Sequence, residues 1–142
     1  AESWDWDAAD NTYTFHIRDG ITWQDGEKFT ANDVMFTLEA IMNPDNASEI
    51  ASNYEDITKS EVPDDKTVKI SLKAPNVAML DYLTIGILPA HLLKGKNLAT
   101  DDFNRKPIGT GPYKLVSWDE GQSITMEKFD NHYAGVPKID KV

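Results

Sequence analysis

The chain has 142 residues, of which 24 are acidic and 14 basic, so its formal net charge at pH 7 is -10. Such a charge repels nucleic-acid phosphates and anionic lipid surfaces, which argues against both as partners. The absence of cysteine excludes disulfides, thiolate zinc sites and a cysteine nucleophile. The length and a hydrophobic content of 40% predict a single domain over residues 1–142. A domain of this size can fold without disulfides or a bound metal.

The first predicted element is a β-hairpin within residues 1–18. Residues 12–18 alternate apolar and polar side chains, which is the period of a half-buried strand. Trp4 and Trp6 alternate in the same way upstream. The polar residues 7–11 between these two runs are typical of a turn, and we therefore predict two antiparallel strands here.

A capping motif predicts a helix that begins at Ala31. The Thr30 side chain can cap the backbone amide of Asp33, and the Asp33 carboxylate can reach back to Thr30. Pro44 disfavours helix in the residue before it, so the helix is expected to end there. The apolar residues that fall on one helical face are Ala31, Val34, Met35, Leu38, Ile41 and Met42.

Two further hairpins are predicted from alternation around polar turns. One comprises residues 54–62 and 67–73, and the other comprises residues 113–118 and 122–129. Before the last hairpin, Pro112 restricts the residue that precedes it, and Gly111 is therefore predicted to adopt a conformation that a side chain would strain.

Short elements are predicted between the second and third hairpins. Pro75 can occupy the first turn of a short helix, and Thr84 to Leu88 is predicted to be a brief apolar strand that ends at Pro89. Three hairpins with two or three helices between them predict an α+β fold with a largely antiparallel sheet.

No motif fulfils the complete pattern of a catalytic, nucleotide or metal site. A calcium loop that started at Asp5 would need glycine where Asp10 stands, and a dinucleotide loop that started at Gly109 would need glycine at Lys114. Ser123 lacks the final glycine of a nucleophile elbow, and no histidine has a partner at the spacing of a zinc helix. We therefore predict no catalytic residue, no metal site, no cofactor and no enzymatic activity.

The tryptophans and the acidic residues leave two alternatives open. A secreted glycan-binding or adhesive module would stack tryptophans on its ligand, which requires that they are exposed together on one face. Core packing is the other interpretation of their apolar bulk. A hydrolase that uses paired carboxylates is a further alternative, which the incomplete motifs disfavour. The residues concerned in the first alternative are Trp4, Trp6, Trp23 and Trp118.

The most specific signal is the order of the motifs along the chain. Residues 12–44 read TYTFHIRDGITWQDGEKFTANDVMFTLEAIMNP, and residues 107–142 read PIGTGPYKLVSWDEGQSITMEKFDNHYAGVPKIDKV. AESW at the start and VPDDKTVKISLKAP between the two runs agree with the same pattern. This ordered set resembles family 5 of the bacterial extracellular solute-binding proteins, which includes dipeptide-, oligopeptide- and nickel-binding receptors of ABC importers.

The resemblance implies an extracytoplasmic receptor, in the periplasm or lipid-anchored at the cell surface. Such a receptor captures a peptide or a nickel chelate and delivers it to an ABC permease in the membrane. Family members are longer, two-lobed chains with a domain inserted early in the sequence. Residues 1–142 are similar to that inserted domain, and the other lobes of the same chain are then its partners.

The resemblance also implies where this part of the receptor contacts a ligand. The corresponding regions here are residues 50–54, after the capped helix, and residues 84–87, before Pro89. Tyr54 is the foremost candidate because its amphipathic ring suits the wall of a cleft, although an aromatic residue of the core is the alternative interpretation. The predicted ligand-binding residues are Ile50, Asn53, Tyr54 and Thr84.

Overall fold

The computed structural model describes residues 1–142, which form two compact units. Unit 1 comprises Ala1–Asp19 and Thr30–Ala90, and unit 2 comprises Gly20–Phe29 and His91–Val142. Both contain antiparallel strands, and the chain combines six strands with three short or medium α-helices. The predicted α+β class is therefore confirmed. None of the helices has the length and apolar character that a membrane span requires.

Unit 1 is built on a four-stranded antiparallel sheet with the strand order β1-β2-β4-β3. Its strands are β1 (Ser3–Asp7), β2 (Thr12–His16), β3 (Ile57–Asp64) and β4 (Thr67–Leu72). The first two predicted hairpins are confirmed by the pairing of β1 with β2 and of β3 with β4. The β4 residues Val68, Ile70 and Leu72 are buried, as their alternation predicts.

Helix α1 (Ala31–Met42) begins and ends where the sequence predicts. Its first turn is fixed by the Asp33 carboxylate, whose Oδ2 accepts the Thr30 N–H at 2.8 Å. The buried face differs from the predicted one, because it includes Asp33 and Thr37 whereas Met42 is exposed. These two polar side chains are buried because both accept backbone N–H groups from residues 88–90.

The connection from α1 to the third hairpin contains only short elements. They are the 3₁₀ turns Pro44–Asn46, Ala51–Tyr54 and Asp102–Asn104 and the helices α2 (Met79–Tyr82) and α3 (Ala90–Leu93). The predicted strand from Thr84 to Leu88 is wrong, because residues 84–89 belong to no strand. The N–H groups of Leu88 and Ala90 bond to side chains of α1 and not to a neighbouring strand.

Unit 2 contains the third predicted hairpin, formed by β5 (Tyr113–Asp119) and β6 (Ser123–Lys128). The end of the chain lies along the other edge of β6. There the Met126 N–H donates to the Val142 carbonyl at 2.8 Å, and the Val142 N–H donates back at 2.9 Å. Residues 140–142 therefore add a short antiparallel partner to the hairpin.

The side chain of Gln24 holds the turn that leads into β5. Its Nε2 donates to the carbonyls of Gly111 at 3.1 Å and Tyr113 at 2.8 Å, and its Oε1 accepts the Gly109 N–H at 3.0 Å. The predicted strain at Gly111 is wrong, because its φ lies outside the left-handed region and no heavy atom comes within 4 Å of where a Cβ would stand. The hydrogen bonds of Gln24 hold the turn without a left-handed residue.

Candidate functional site

The two regions predicted to contact a ligand lie next to each other in unit 1. Tyr54 ends the 3₁₀ turn Ala51–Tyr54, and its hydroxyl donates a hydrogen bond to the backbone carbonyl of Tyr82, the last residue of α2. Thr84 follows Tyr82 by two residues. The structure therefore holds the turn that ends at Tyr54 against the end of α2, shortly before Thr84, and we call the surface of these two predicted regions the candidate site.

Tyr54 lies beneath this surface. Its side chain is 1% exposed, and its hydroxyl is occupied by the Tyr82 carbonyl. Burial raises the pKa of the Tyr54 phenol, because a phenolate would lose its hydration there. The residue thus links the two segments through the core of unit 1.

Asn76 links the residues just after Tyr54 to the start of α2. Its Nδ2 donates to the Asp56 carboxylate at 3.0 Å, and its Oδ1 accepts the Ala78 N–H at 3.0 Å, just before α2. Sequence reasoning missed this residue. An asparagine shortly before a predicted helix is a preferred capping and turn residue, and that signal could have identified it.

The other predicted residues lie at the surface of the candidate site. Ile50 is 40% exposed, and Asn53 is half-buried with a side-chain amide that takes part in none of the hydrogen bonds within the protein. Thr84 is exposed, although its hydroxyl donates to the Asp81 carbonyl at 2.6 Å. Ile50 and the Asn53 amide therefore offer apolar contact and hydrogen bonding to a bound molecule.

Beyond Thr84, the segment Ile85–Ile87 has an unpaired backbone, and we call it the open segment. Its N–H and C=O groups take part in none of the hydrogen bonds of the protein. Both of its ends are fixed: the Thr84 N–H donates to the Asp81 carbonyl at 3.1 Å, and the Leu88 N–H donates to Thr37 Oγ1 at 2.9 Å. Three consecutive residues thus present unused donors and acceptors between two anchored positions.

The histidines do not belong to a cluster that could hold a metal ion. In unit 2, His91 Nε2 lies 2.7 Å from Asp25 Oδ2, and in unit 1, His16 Nε2 lies 3.1 Å from Asp5 Oδ2. No group of three or more histidine, aspartate or glutamate side chains is placed to hold a metal ion. Each histidine pair is a local contact at the surface of its own unit.

The tryptophans do not form one exposed set, which the glycan-binding alternative requires. Trp23 is 1% exposed and belongs to the core of unit 2. Trp4 is 49% exposed and packs edge-to-face on Tyr13 in unit 1, with ring centroids 5.7 Å apart. Trp118 is 43% exposed in unit 2, next to the guanidinium of Arg105. Their surroundings favour packing roles for them.

Unit 2 also contains an open cavity of about 410 Å³ above the third hairpin. The Gln24 amide at its edge is already used by the backbone of residues 109–113. The cavity therefore offers mainly apolar contact. The hairpin residues that line it are Tyr113, Leu115, Trp118, Ile124 and Met126.

Comparison with known proteins identifies relatives over the whole chain. The glutathione-binding protein GsiB of Pectobacterium atrosepticum is 36% identical over 100% of this chain and 28% of its own length. NikZ from Campylobacter jejuni, solved in complex with Ni(L-His), is 44% identical over 99% of this chain and 29% of its own, with a TM-score of 0.93. The chain thus spans less than a third of these relatives.

A third similar structure is the oligopeptide-binding protein AppA from Bacillus subtilis, solved in complex with a nonapeptide. It is 32% identical over 100% of this chain and 29% of its own, with a TM-score of 0.91. The sequence pattern of "Bacterial extracellular solute-binding proteins, family 5 Middle" matches residues 1–142. The chain therefore belongs to family 5 of the bacterial extracellular solute-binding proteins.

Proposed function

We propose that this chain is part of a longer, two-lobed extracytoplasmic receptor that captures a peptide for an ABC importer. The observation that carries the proposal is the family match over all 142 residues, together with relatives of which this chain covers less than a third. The receptor then acts in the periplasm or at the cell surface, and its membrane partner is an ABC permease. The remaining lobes belong to the same polypeptide.

The proposed ligand class is a short peptide. The glutathione-binding GsiB and the nonapeptide-bound AppA support this choice, since both bind peptides. A nickel–histidine chelate is the second ligand to test, because NikZ, which was solved with Ni(L-His), is 44% identical to this chain. Binding of the peptide, rather than chemistry on it, is the proposed activity.

We assign different roles to the four predicted residues. Ile50, Asn53 and Thr84 form the surface that the ligand contacts, since all three are at least partly exposed. Tyr54 holds this surface in place through its hydrogen bond to the Tyr82 carbonyl. Tyr54→Phe should therefore lower peptide affinity by moving the two segments apart, while the apolar contacts of its ring remain.

Titration calorimetry tests the proposal on two forms of the protein. The longer receptor should bind pentaalanine with a dissociation constant of about micromolar or tighter, and the 142-residue chain with one of about millimolar or weaker. The reason is that a cleft gains affinity by enclosing most of its ligand, which one wall does not achieve. Micromolar binding by the 142-residue chain would show that the site is complete within it.

A substitution in the longer receptor tests the candidate site directly. Asn53→Ala should weaken pentaalanine binding about tenfold, because it removes a side-chain amide from the ligand surface. Asn131→Ala changes an exposed asparagine of unit 2 and is the matched control, with unchanged affinity expected. Equal effects of the two substitutions would contradict the assigned site, and binding of nickel–histidine without peptide binding would favour the second ligand.

A further inference from the structure

The net charge of the chain is carried by unit 1 alone. Unit 1 has 15 acidic and 5 basic residues, whereas unit 2 has 9 of each, so their formal charges are -10 and zero. In unit 2, 6 of the 9 carboxylates lie within 4 Å of a basic side chain. The salt bridges of unit 1 join only Asp5, Asp19 and Glu61 to a basic side chain, so most of its acidic charge is not neutralised in place.

Three of the carboxylates in unit 1 lie beside the candidate site. Glu49 and Glu55 flank the turn at residues 50–54, and Asp81 lies in α2, one position before the residue whose carbonyl accepts the Tyr54 hydroxyl. All three are exposed, and none takes part in a salt bridge. The electrostatic potential at this surface is therefore negative.

Lysines close to these segments in the sequence do not neutralise them. Residues 30–58 and 74–90 contain no lysine or arginine. The Lys59 ammonium is 2.9 Å from the carboxylate of a glutamate two positions further along β3. Lys73 directly follows Leu72, whose side chain is buried, and alternation therefore directs the lysine towards the other face of the sheet. The acidic groups at the candidate site are left without a counter-charge from the protein.

We propose that the candidate site selects peptides that carry lysine or arginine side chains. This inference rests on the proposed function and adds the charge of the peptide. Like charges without counter-charges repel one another, and a cationic ligand relieves this repulsion. A cleft that closes on the ligand strengthens the attraction, because the charges then interact in a lower dielectric than water. Complementary charge also speeds the encounter between receptor and peptide.

The same charges disfavour an anionic peptide. Glutathione, the ligand in the name of the relative GsiB, contains two carboxyl groups and one amino group and is negative at neutral pH. The carboxylates beside the candidate site would repel it, since like charges placed together in an interface reduce affinity. The peptide preference of this receptor is therefore expected to differ from that of a glutathione receptor.

Titration calorimetry of the longer receptor with three pentapeptides tests the inference. They are pentaalanine and its variants AAKAA and AAEAA, written in one-letter code, which differ in charge at the central position only. AAKAA should bind about tenfold more tightly than pentaalanine, and AAEAA about tenfold more weakly. These differences should shrink in about 1 M sodium chloride, where the screening length falls to about 3 Å.

A pair of double variants tests which carboxylates are responsible. Glu55→Gln with Asp81→Asn should remove most of the preference for AAKAA and leave pentaalanine affinity within about twofold. Glu2→Gln with Asp65→Asn removes the same charge from unit 1 and is the matched control. Both control residues lie at the far end of the sheet, where β3 ends after 8 residues. That strand spans roughly 25 Å, which exceeds the screening length of about 10 Å at 0.1 M salt.

The outcomes separate this inference from the proposed function. Equal binding of the three peptides, or tighter binding of AAEAA, would overturn the cationic preference and leave the peptide receptor intact. A preference for AAKAA that survives Glu55→Gln with Asp81→Asn would overturn its assignment to the candidate site. Binding of nickel–histidine and of no peptide would overturn both proposals. A preference for AAKAA that is lost in this variant and kept in the control would support both.

Discussion

The Asp33 carboxylate binds the backbone of Ala90, which lies 57 residues further along the chain. Oδ1 accepts the Ala90 N–H at 2.9 Å, and Oδ2 accepts the Thr30 N–H at 2.8 Å. One buried side chain therefore holds both ends of the segment Thr30–Ala90 in unit 1. One turn further along α1, Thr37 accepts the Leu88 N–H, so the helix fixes the chain just beyond the open segment.

Asp33→Ala should lower the free energy of unfolding by about 2–4 kcal/mol, because two backbone N–H groups lose a charged acceptor. Glu39→Ala, at an exposed position of the same helix, is the control and should stay within about 0.5 kcal/mol of the original chain. Denaturant unfolding followed by circular dichroism measures both. Similar midpoints for the two variants would contradict the role of Asp33.

Substitutions of Gln24 test whether its side-chain hydrogen bonds stabilise the turn before β5. Gln24→Ala removes three side-chain hydrogen bonds and should cost about 1–3 kcal/mol of stability. Gln24→Glu should lower the free energy of unfolding at least as much at neutral pH, because a carboxylate cannot donate to the carbonyls of Gly111 and Tyr113.

The glutamate variant also carries a pH signature. A protonated carboxyl can donate one of the lost bonds, so folding raises the pKa of the new group, and the stability of Gln24→Glu should recover as the pH falls. Gln122→Glu, in the exposed turn between β5 and β6, is the control without such a recovery. A difference in stability between the two variants that does not change with pH would contradict the role of Gln24 in this turn.

The contact between Asp25 and His91 should make the stability of unit 2 depend on pH. Desolvation acts to raise the pKa of the Asp25 carboxyl, but the hydrogen bonds from His91 and from the Glu27 N–H outweigh it and hold this pKa below its usual value. A lowered pKa in the folded state contributes stability above the ordinary carboxyl value of about 3.9, and this contribution is lost as the pH falls through the folded value.

Unfolding free energies of the original chain and of Asp25→Asn, measured between neutral and acidic pH, check this expectation. Asparagine cannot ionise, so the advantage of the original chain should be present at neutral pH and should disappear in strong acid. A difference that stayed constant with pH would mean that the Asp25 charge contributes nothing. Asp45→Asn, at an exposed position in unit 1, is the matched control.

Alanine substitutions at two glycines of unit 2 should have opposite effects on stability. Gly121 lies in the turn between β5 and β6 with a φ of +75°, so Gly121→Ala should cost about 1–2 kcal/mol. Gly111→Ala should be neutral or slightly stabilising, because its φ lies outside the left-handed region and the space around it is open. Thermal unfolding of the two variants side by side decides between these expectations.

Local patterns explain why much of the fold could be predicted from the sequence. The alternation of residues 12–18 and the capping residue Thr30 act within a few residues, so the first hairpin and the start of α1 could be identified. Thr84 to Leu88 has the composition of a strand, but the Thr84 N–H bonds to the Asp81 carbonyl and the Leu88 N–H to Thr37, and no strand lies beside the segment. The contact with Thr37 joins residues distant in sequence, so no local pattern encodes it.

The candidate site could also be predicted only in part from the sequence. The resemblance to a family indicated Ile50, Asn53, Tyr54 and Thr84, and the structure brings their two segments together. The burial of Tyr54 and the unpaired backbone of the open segment depend on how α2 packs against the 3₁₀ turn before β3. Tertiary contacts of this kind depend on the packing of the whole unit and cannot be inferred from the spacing of residues along the sequence.

The meeting of Thr30 and Ala90 at one carboxylate has a consequence for how this part of the chain can vary in sequence. A stretch of chain whose two ends are neighbours can be exchanged, lengthened or shortened with little disturbance at its points of attachment. The loops between Thr30 and Ala90 can therefore vary, whereas β4 must keep its pairing with β2. The aspartate three positions after Thr30 is the residue that keeps these two ends together.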